Sequence, residues 1–339
     1  MNKFRKVMIY LIIGLMTSIV SMGQDQQLVN NKSDRNSDVL INIKSNSQDI
    51  DLDCDCDYVI DDSDDDWPTG NLPTGNLNNK TICLSGNFTY NANWKEIGNN
   101  GTLCIGEGVT FNSQGLNWPN TGNNLTLNNY GNFNHGTQST ILIKNNSVIN
   151  NYGTLTTVVK LQNGTLNSYD GATTNLVGGG TNFDSGLINV YTGSVLNVNS
   201  GSYEQMGDGF TLNNEGSTTF EDNLANSNGS INSSGTINFS QKFRNDSYAN
   251  ISGDLTILGD LESNSNNAEL IVENSFIVNG DLKVWCGKIA ANAGFEIIGS
   301  TVINSTGTIQ FGEEIIFNNL TSHAGLIESS SGCNKIILN

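Results

Sequence analysis

Between Asp51 and Asp66 nine of sixteen residues are aspartate, and Cys54 and Cys56 interrupt the run. Asp51, Asp53, Asp55 and Asp57 alternate, so an extended backbone places all four on one face. There their carboxylates could share a hard cation such as Ca²⁺, which takes six to eight oxygen ligands. The run has neither the glycine and terminal glutamate of an EF-hand loop nor the Gly-rich nonapeptide of calcium-binding β-rolls. A solvated acidic linker is the competing reading.

The six cysteines are an even number, as an exported chain in an oxidising compartment would carry. Cys83 and Cys104 lie 21 residues apart, a separation that matches the repeat described below and would set one above the other at strand spacing. A bond from one coil to the next is therefore expected there. Cys286 and Cys333, 47 residues apart, form a second candidate pair, and Cys54 with Cys56 a local one. Zinc is disfavoured because neither of the two histidines sits near a cysteine pair.

For catalysis the chain offers little. A lyase would set a basic residue opposite carboxylates in one groove, yet from residue 80 to 260 the only basic side chains are Lys80, Lys95, Lys144, Lys160, Lys242 and Arg244. A glycosidase pair is conceivable among Asp184, Glu204, Asp208, Glu215, Glu221 and Asp222, since spatial pairing cannot be read from sequence separation. The competing reading is a solvated surface. His135 and His323 read as surface residues. Tyr130, Tyr152, Tyr169 and Tyr191 keep about one position per repeat. Facing outward they would make a strip able to stack on sugar rings; packing at the core or a corner is the favoured reading.

These residues must be positioned by repetition. Leu127-Asn128-Asn129-Tyr130-Gly131 returns 22 residues later as Ile149-Asn150-Asn151-Tyr152-Gly153, and looser copies follow. The glycines at 131, 153, 171, 193, 216, 235 and 253 are separated by 22, 18, 22, 23, 19 and 18 residues. Short segments with apolar residues at every second position flank each turn-like phrase, which is strand patterning. Units of about 20 residues cannot bury an apolar face alone and must stack. An all-β parallel solenoid with coils of about 20 residues is expected, with Gly and Asn taking positive φ at the corners and asparagine ladders joining the coils. A β-sandwich, whose turn signals recur every 8–12 residues, is the alternative.

Residues 1–23 read as a secretory signal peptide, with Lys3, Arg5 and Lys6 ahead of an apolar run and Ser21-Met22-Gly23 at the cleavage site. Residues 24–79 read as an acidic, disordered leader and 80–339 as the solenoid. The whole chain carries 15 basic and 33 acidic residues, net −18; without 1–23 the count is 12 against 33, or −21. Such a surface repels phosphate backbones and disfavours nucleic acid as a partner. No second apolar run suggests a membrane span.

With its leader, its Asn/Gly-rich coils and the phrase Ile149-Asn150-Asn151-Tyr152-Gly153-Thr154-Leu155, the chain resembles secreted right-handed parallel β-helix proteins of Bacteroidetes-type bacteria. These are similar to filamentous-haemagglutinin-like adhesins and share a fold with pectate lyases. The resemblance covers roughly residues 80–339 and implies a right-handed parallel β-helix. The expected function is that of a secreted or cell-surface, non-enzymatic adhesin-like or structural protein that binds a glycan or a protein partner and needs no cofactor beyond possible Ca²⁺. A polysaccharide lyase or glycoside hydrolase on the same scaffold is the alternative.

Overall fold

The structure is a computed structural model, and it describes residues 54–61, 78–87, 89–92, 99–113, 124–135, 140–201, 204–330 and 335–338. The described residues are all-β with no helix, coiled into a parallel β-solenoid of about 12 turns. Every described strand pairing is parallel, for example Thr126–Asn129 with Val148–Asn151. This excludes the sandwich, whose sheets are antiparallel.

A full coil has three faces. Thr126–Asn129, Asn132–His135 and Thr140–Lys144 lie on the first, second and third. The next coil stacks on them in register, Ile149 on Leu127, Leu155 on Phe133 and Val159 on Ile141. Long strands such as Thr154–Ser168 run through the corners and serve several faces in turn. Alternation sends every second side chain inward. One inner column of the first face reads Leu127, Ile149, Leu166, Ile188, Leu212 and Ile231, all buried. On the second face phenylalanines stack from coil to coil, with ring centroids 5.3 Å apart for Phe111 and Phe133 and 4.0 Å for Phe276 and Phe295.

The repeated glycines serve two purposes. Gly171 and Gly193 take positive φ, 76° and 81°, as the corner argument requires. Gly131, Gly153, Gly216, Gly235 and Gly253 do not. Those five sit where a coil passes close to its neighbour, and a Cβ on Gly253 would lie 1.9 Å from the Gly235 carbonyl oxygen. Clearance between coils, more than turn conformation, keeps the Asn-Tyr-Gly phrase in glycine.

The stack also begins earlier than residue 80. Tyr58–Ile60 pairs with Thr81–Leu84, and buried Ile60 lies in register with Leu84. The reading of 24–79 as leader is therefore corrected for this segment, because the aspartates of 51–66 conceal an apolar alternation of Cys54, Cys56, Tyr58 and Ile60. The signal-peptide reading of 1–23 lies outside the described residues.

Candidate functional site

The outer surface of the first face is built from positions that repeat once per coil. One column is Asn128, Asn150, Asn167, Asn189, Asn213, Asn232 and Asn250, each in register with the next. Each amide can donate through Nδ2 and accept through Oδ1, so a column at strand spacing closes into a ladder. Asn150 donates to Asn128 at 2.9 Å, Asn167 to Asn150 at 2.8 Å and Asn189 to Asn167 at 2.8 Å. Asn213 then donates to Asn189 at 3.0 Å and Asn232 to Asn213 at 3.2 Å. A second, inward ladder fixes the neighbouring corner. Buried Asn129 donates to Asn151 at 2.8 Å and to the Thr154 carbonyl at 2.9 Å.

Two residues beyond the first four ladder asparagines, Asn128, Asn150, Asn167 and Asn189, lies the tyrosine column. Tyr130, Tyr152, Tyr169 and Tyr191 stack face to face at centroid distances of 4.7, 4.3 and 4.8 Å, within 11° of parallel. They pack a corner, as expected, and their edges remain accessible, with Tyr152 37% exposed. Burial against their neighbours raises the Tyr169 and Tyr191 hydroxyl pKa values. The faces of the inner rings are occupied by one another and cannot take a ligand. Only a terminal ring can offer a whole face.

At the other end, the asparagine column continues into cysteine. Cys104 is in register with Asn128, and Cys83 with Cys104. Both point outward, opposite Ile82, Leu84, Leu103 and Ile105, yet both are fully buried because residues 54–57 lie over them. The expected Cys83–Cys104 bond is not made, and neither is Cys54–Cys56. Cys54 bonds Cys104 and Cys56 bonds Cys83 instead, with Cα separations of 6.7 and 5.9 Å. Two extended residues advance roughly 6.6 Å, so cysteines two apart on one side of an overlying segment each meet a different coil. Among the described residues Cys286 forms no disulfide, and its expected partner Cys333 lies outside them.

Of the aspartates considered for Ca²⁺, Asp51 and Asp53 lie outside the described residues. Asp55 and Asp57 both face solvent, as alternation requires. Asp57 takes a hydrogen bond from Lys80 Nζ at 2.9 Å and one from the Thr81 amide at 2.8 Å, which hold its carboxyl below the usual range. Among the described residues no group of three or more His, Cys, Asp or Glu gathers around a point that could hold a metal ion.

The candidate acids of the middle coils are partly brought together. A cavity of about 710 Å³ on the third face is lined by Lys160, Asp184, Glu204 and Asp208, with Gly180 and Gly207 in its wall. Lys160 Nζ lies 3.4 Å from Asp184, which also accepts from Gln162 at 2.9 Å. Those hydrogen bonds, Gln162 first, lower the Asp184 pKa. Glu204 occupies an inward position beside Met206; burial pushes its carboxyl up to about 7, and Oε1 has no partner. Glu215 lines a different groove, below, and Asp222 accepts from the Gly201 amide at 2.7 Å.

The histidines divide. His323 is exposed as expected, whereas His135 is a core residue, with Nδ1 3.1 Å from Ser113 Oγ, and burial lowers its pKa to about 4. Its position in strand Asn132–His135, two residues after the inward Phe133, makes it inward too. The turn-like residues around it hid that parity.

Searches of family models, of characterised proteins and of solved structures find no match to this chain.

Proposed function

We propose that this chain is an exported, non-enzymatic, adhesin-like solenoid whose first face holds a glycan or a protein partner. The carrying observation is the asparagine ladder flanked by stacked tyrosines over successive coils. It presents amide groups and aromatic edges in rows at the repeat of the stack, held by hydrogen bonds and ring stacking from coil to coil. Such groups need little ordering on binding, and preorganisation is what lowers the cost of association. Two disulfides and the leader-like residues 1–23 support export to an oxidising compartment. Among the described residues no helix is long and apolar enough to cross a membrane. The acidic charge argues against nucleic acid.

One observation favours a second reading. The third-face cavity sets Lys160 beside Asp184, Glu204 and Asp208, the side-chain types a polysaccharide lyase or hydrolase would use. Against it, Lys160 and Asp184 are engaged with each other, and Glu204 points inward with the core residues. Retention of residues 24–339 on immobilised polysaccharides, with and without Ca²⁺, tests both readings. Retention with the polymer intact supports the adhesin reading. Release of shorter sugars, lost in Asp184→Asn and Asp208→Asn, supports the enzyme. Loss of retention on chelation would give the 51–57 aspartates a Ca²⁺ role.

A further inference from the structure

The tyrosine column stops abruptly. Tyr169, Tyr191, Glu215, Ser234 and Ser252 succeed one another at the same corner, each backbone N–H donating to the coil before it. After Tyr191 the large ring is replaced by a carboxylate and two small hydroxyls. The shortfall in side-chain volume leaves a groove of about 470 Å³, walled by Tyr191 and lined by Asn213, Asn232, Asn250, Glu215 and Ser252. That volume lies within the roughly 300–1,000 Å³ of small-molecule sites.

We propose that this groove is a subsite for one neutral sugar ring of a glycan, stacked on the end face of Tyr191. The inference rests on the glycan reading of the first face and names where and what that face binds. Tyr191 ends the stack, so its outer ring face is not taken by a fifth tyrosine. An aromatic face suits the C–H side of a pyranose, and the amides beside it supply paired donors and acceptors for hydroxyls. The ladder also breaks here. Asn232 donates to Asn213 at 3.2 Å, but the next amide, Asn250, makes no such link and its Oδ1 has no partner, which leaves that amide to turn toward a ligand. Glu215, its carboxylate accepting from Thr192 Oγ1 at 3.4 Å, can accept further hydroxyls and repels anionic sugars. Among the described residues no basic side chain lines the groove, so a uronate or sulfated ring would find no counter-charge there.

The sequence supplies a test that should preserve the fold. Glu215→Tyr recreates at 212–216 the Leu-Asn-Asn-Tyr-Gly phrase already present at 127–131, extending the stack into the groove. Binding of cellohexaose, xylohexaose, mannohexaose, maltohexaose and an acidic control, hexagalacturonate, is measured by calorimetry for the wild type, Glu215→Tyr, Tyr191→Ala and a second-face variant, Asn238→Ala. We expect at least one neutral oligosaccharide to bind, both groove variants to weaken it tenfold or more, and Asn238→Ala to match the wild type. Unchanged affinity in Glu215→Tyr and Tyr191→Ala overturns the subsite while leaving glycan binding standing. Preference for hexagalacturonate overturns its neutral chemistry. No binding by the wild type overturns the subsite and the glycan reading together. Circular dichroism of each variant separates loss of the site from loss of the fold.

Discussion

Asn128 directs its Nδ2 at the sulfur of Cys54, 3.4 Å away, while its Oδ1 accepts from Asn150 at 2.9 Å. The ladder and the disulfide pair are thus one column: the asparagines give way to cysteines where the stack meets the segment that covers it. Asp57 pins the same segment through Lys80 and the Thr81 amide. The first two coils are thereby held from outside by residues that precede them in sequence.

Removing the Cys54–Cys104 bond with paired serines should loosen that end alone. A crosslink closing a 50-residue loop is worth up to about 4 kcal/mol in the chain-entropy account. In a solenoid each coil touches only its neighbours, so the loss should stay local. Hydrogen exchange should accelerate in Thr81–Leu84 and Thr102–Ile105 and remain slow in Ser230–Ser233. Uniform acceleration would show that the segment stabilises the whole stack.

The two roles of glycine make opposite demands. Gly171 takes positive φ into open space, so Gly171→Asn should cost less than about 0.5 kcal/mol, because Asn tolerates that conformation. Gly253 needs clearance, so even Gly253→Ala should cost about 1–3 kcal/mol, as overpacking does. Denaturant midpoints of the two variants check the order.

Two buried groups should give the chain opposing pH dependences. Burial raises the Glu204 pKa from an ordinary 4.5 to about 7, so the native state binds the extra proton and stability falls as pH rises from 4.5 to 7. Burial lowers the His135 pKa from 6.5 to about 4, so the native state refuses a proton and stability falls as pH drops from 6.5 to 4. Each effect amounts to roughly 3 kcal/mol, and the two nearly cancel between pH 4.5 and 6.5. Glu204→Gln should leave stability rising with pH over that range, and His135→Gln should leave it falling. Parallel slopes in both variants would show that other groups dominate.

The parallel solenoid was legible because apolar alternation and a period near 20 are direct consequences of stacking. Asn150 and Tyr152 could be placed in columns from their spacing alone. The disulfide pairing could not, because Cys83 and Cys104 are the right distance apart and nothing in their spacing reveals that Cys54 and Cys56 lie over them. His135 reads as a surface residue because the Gly136-Thr137-Gln138-Ser139 that follows it carries turn signals in the sequence, while the parity set by Phe133 decides its direction. The groove below Tyr191 was invisible for a related reason. It is made by what Glu215, Ser234 and Ser252 lack, and a missing ring has meaning only once the column it interrupts is known.

The most direct measurement is hydroxyl-radical footprinting of the protein bound to whichever polysaccharide retains it, since tyrosine is a strong reporter and the column lies within the claimed face. Protection of Tyr152 and Tyr191 is expected, with the exposed residues Leu258 and Ile298, which follow second-face strand pairings, unchanged by ligand. Protection confined to the third face around Lys160, whose side chain is exposed beside the cavity, with both tyrosines as reactive as in the free protein, would contradict it.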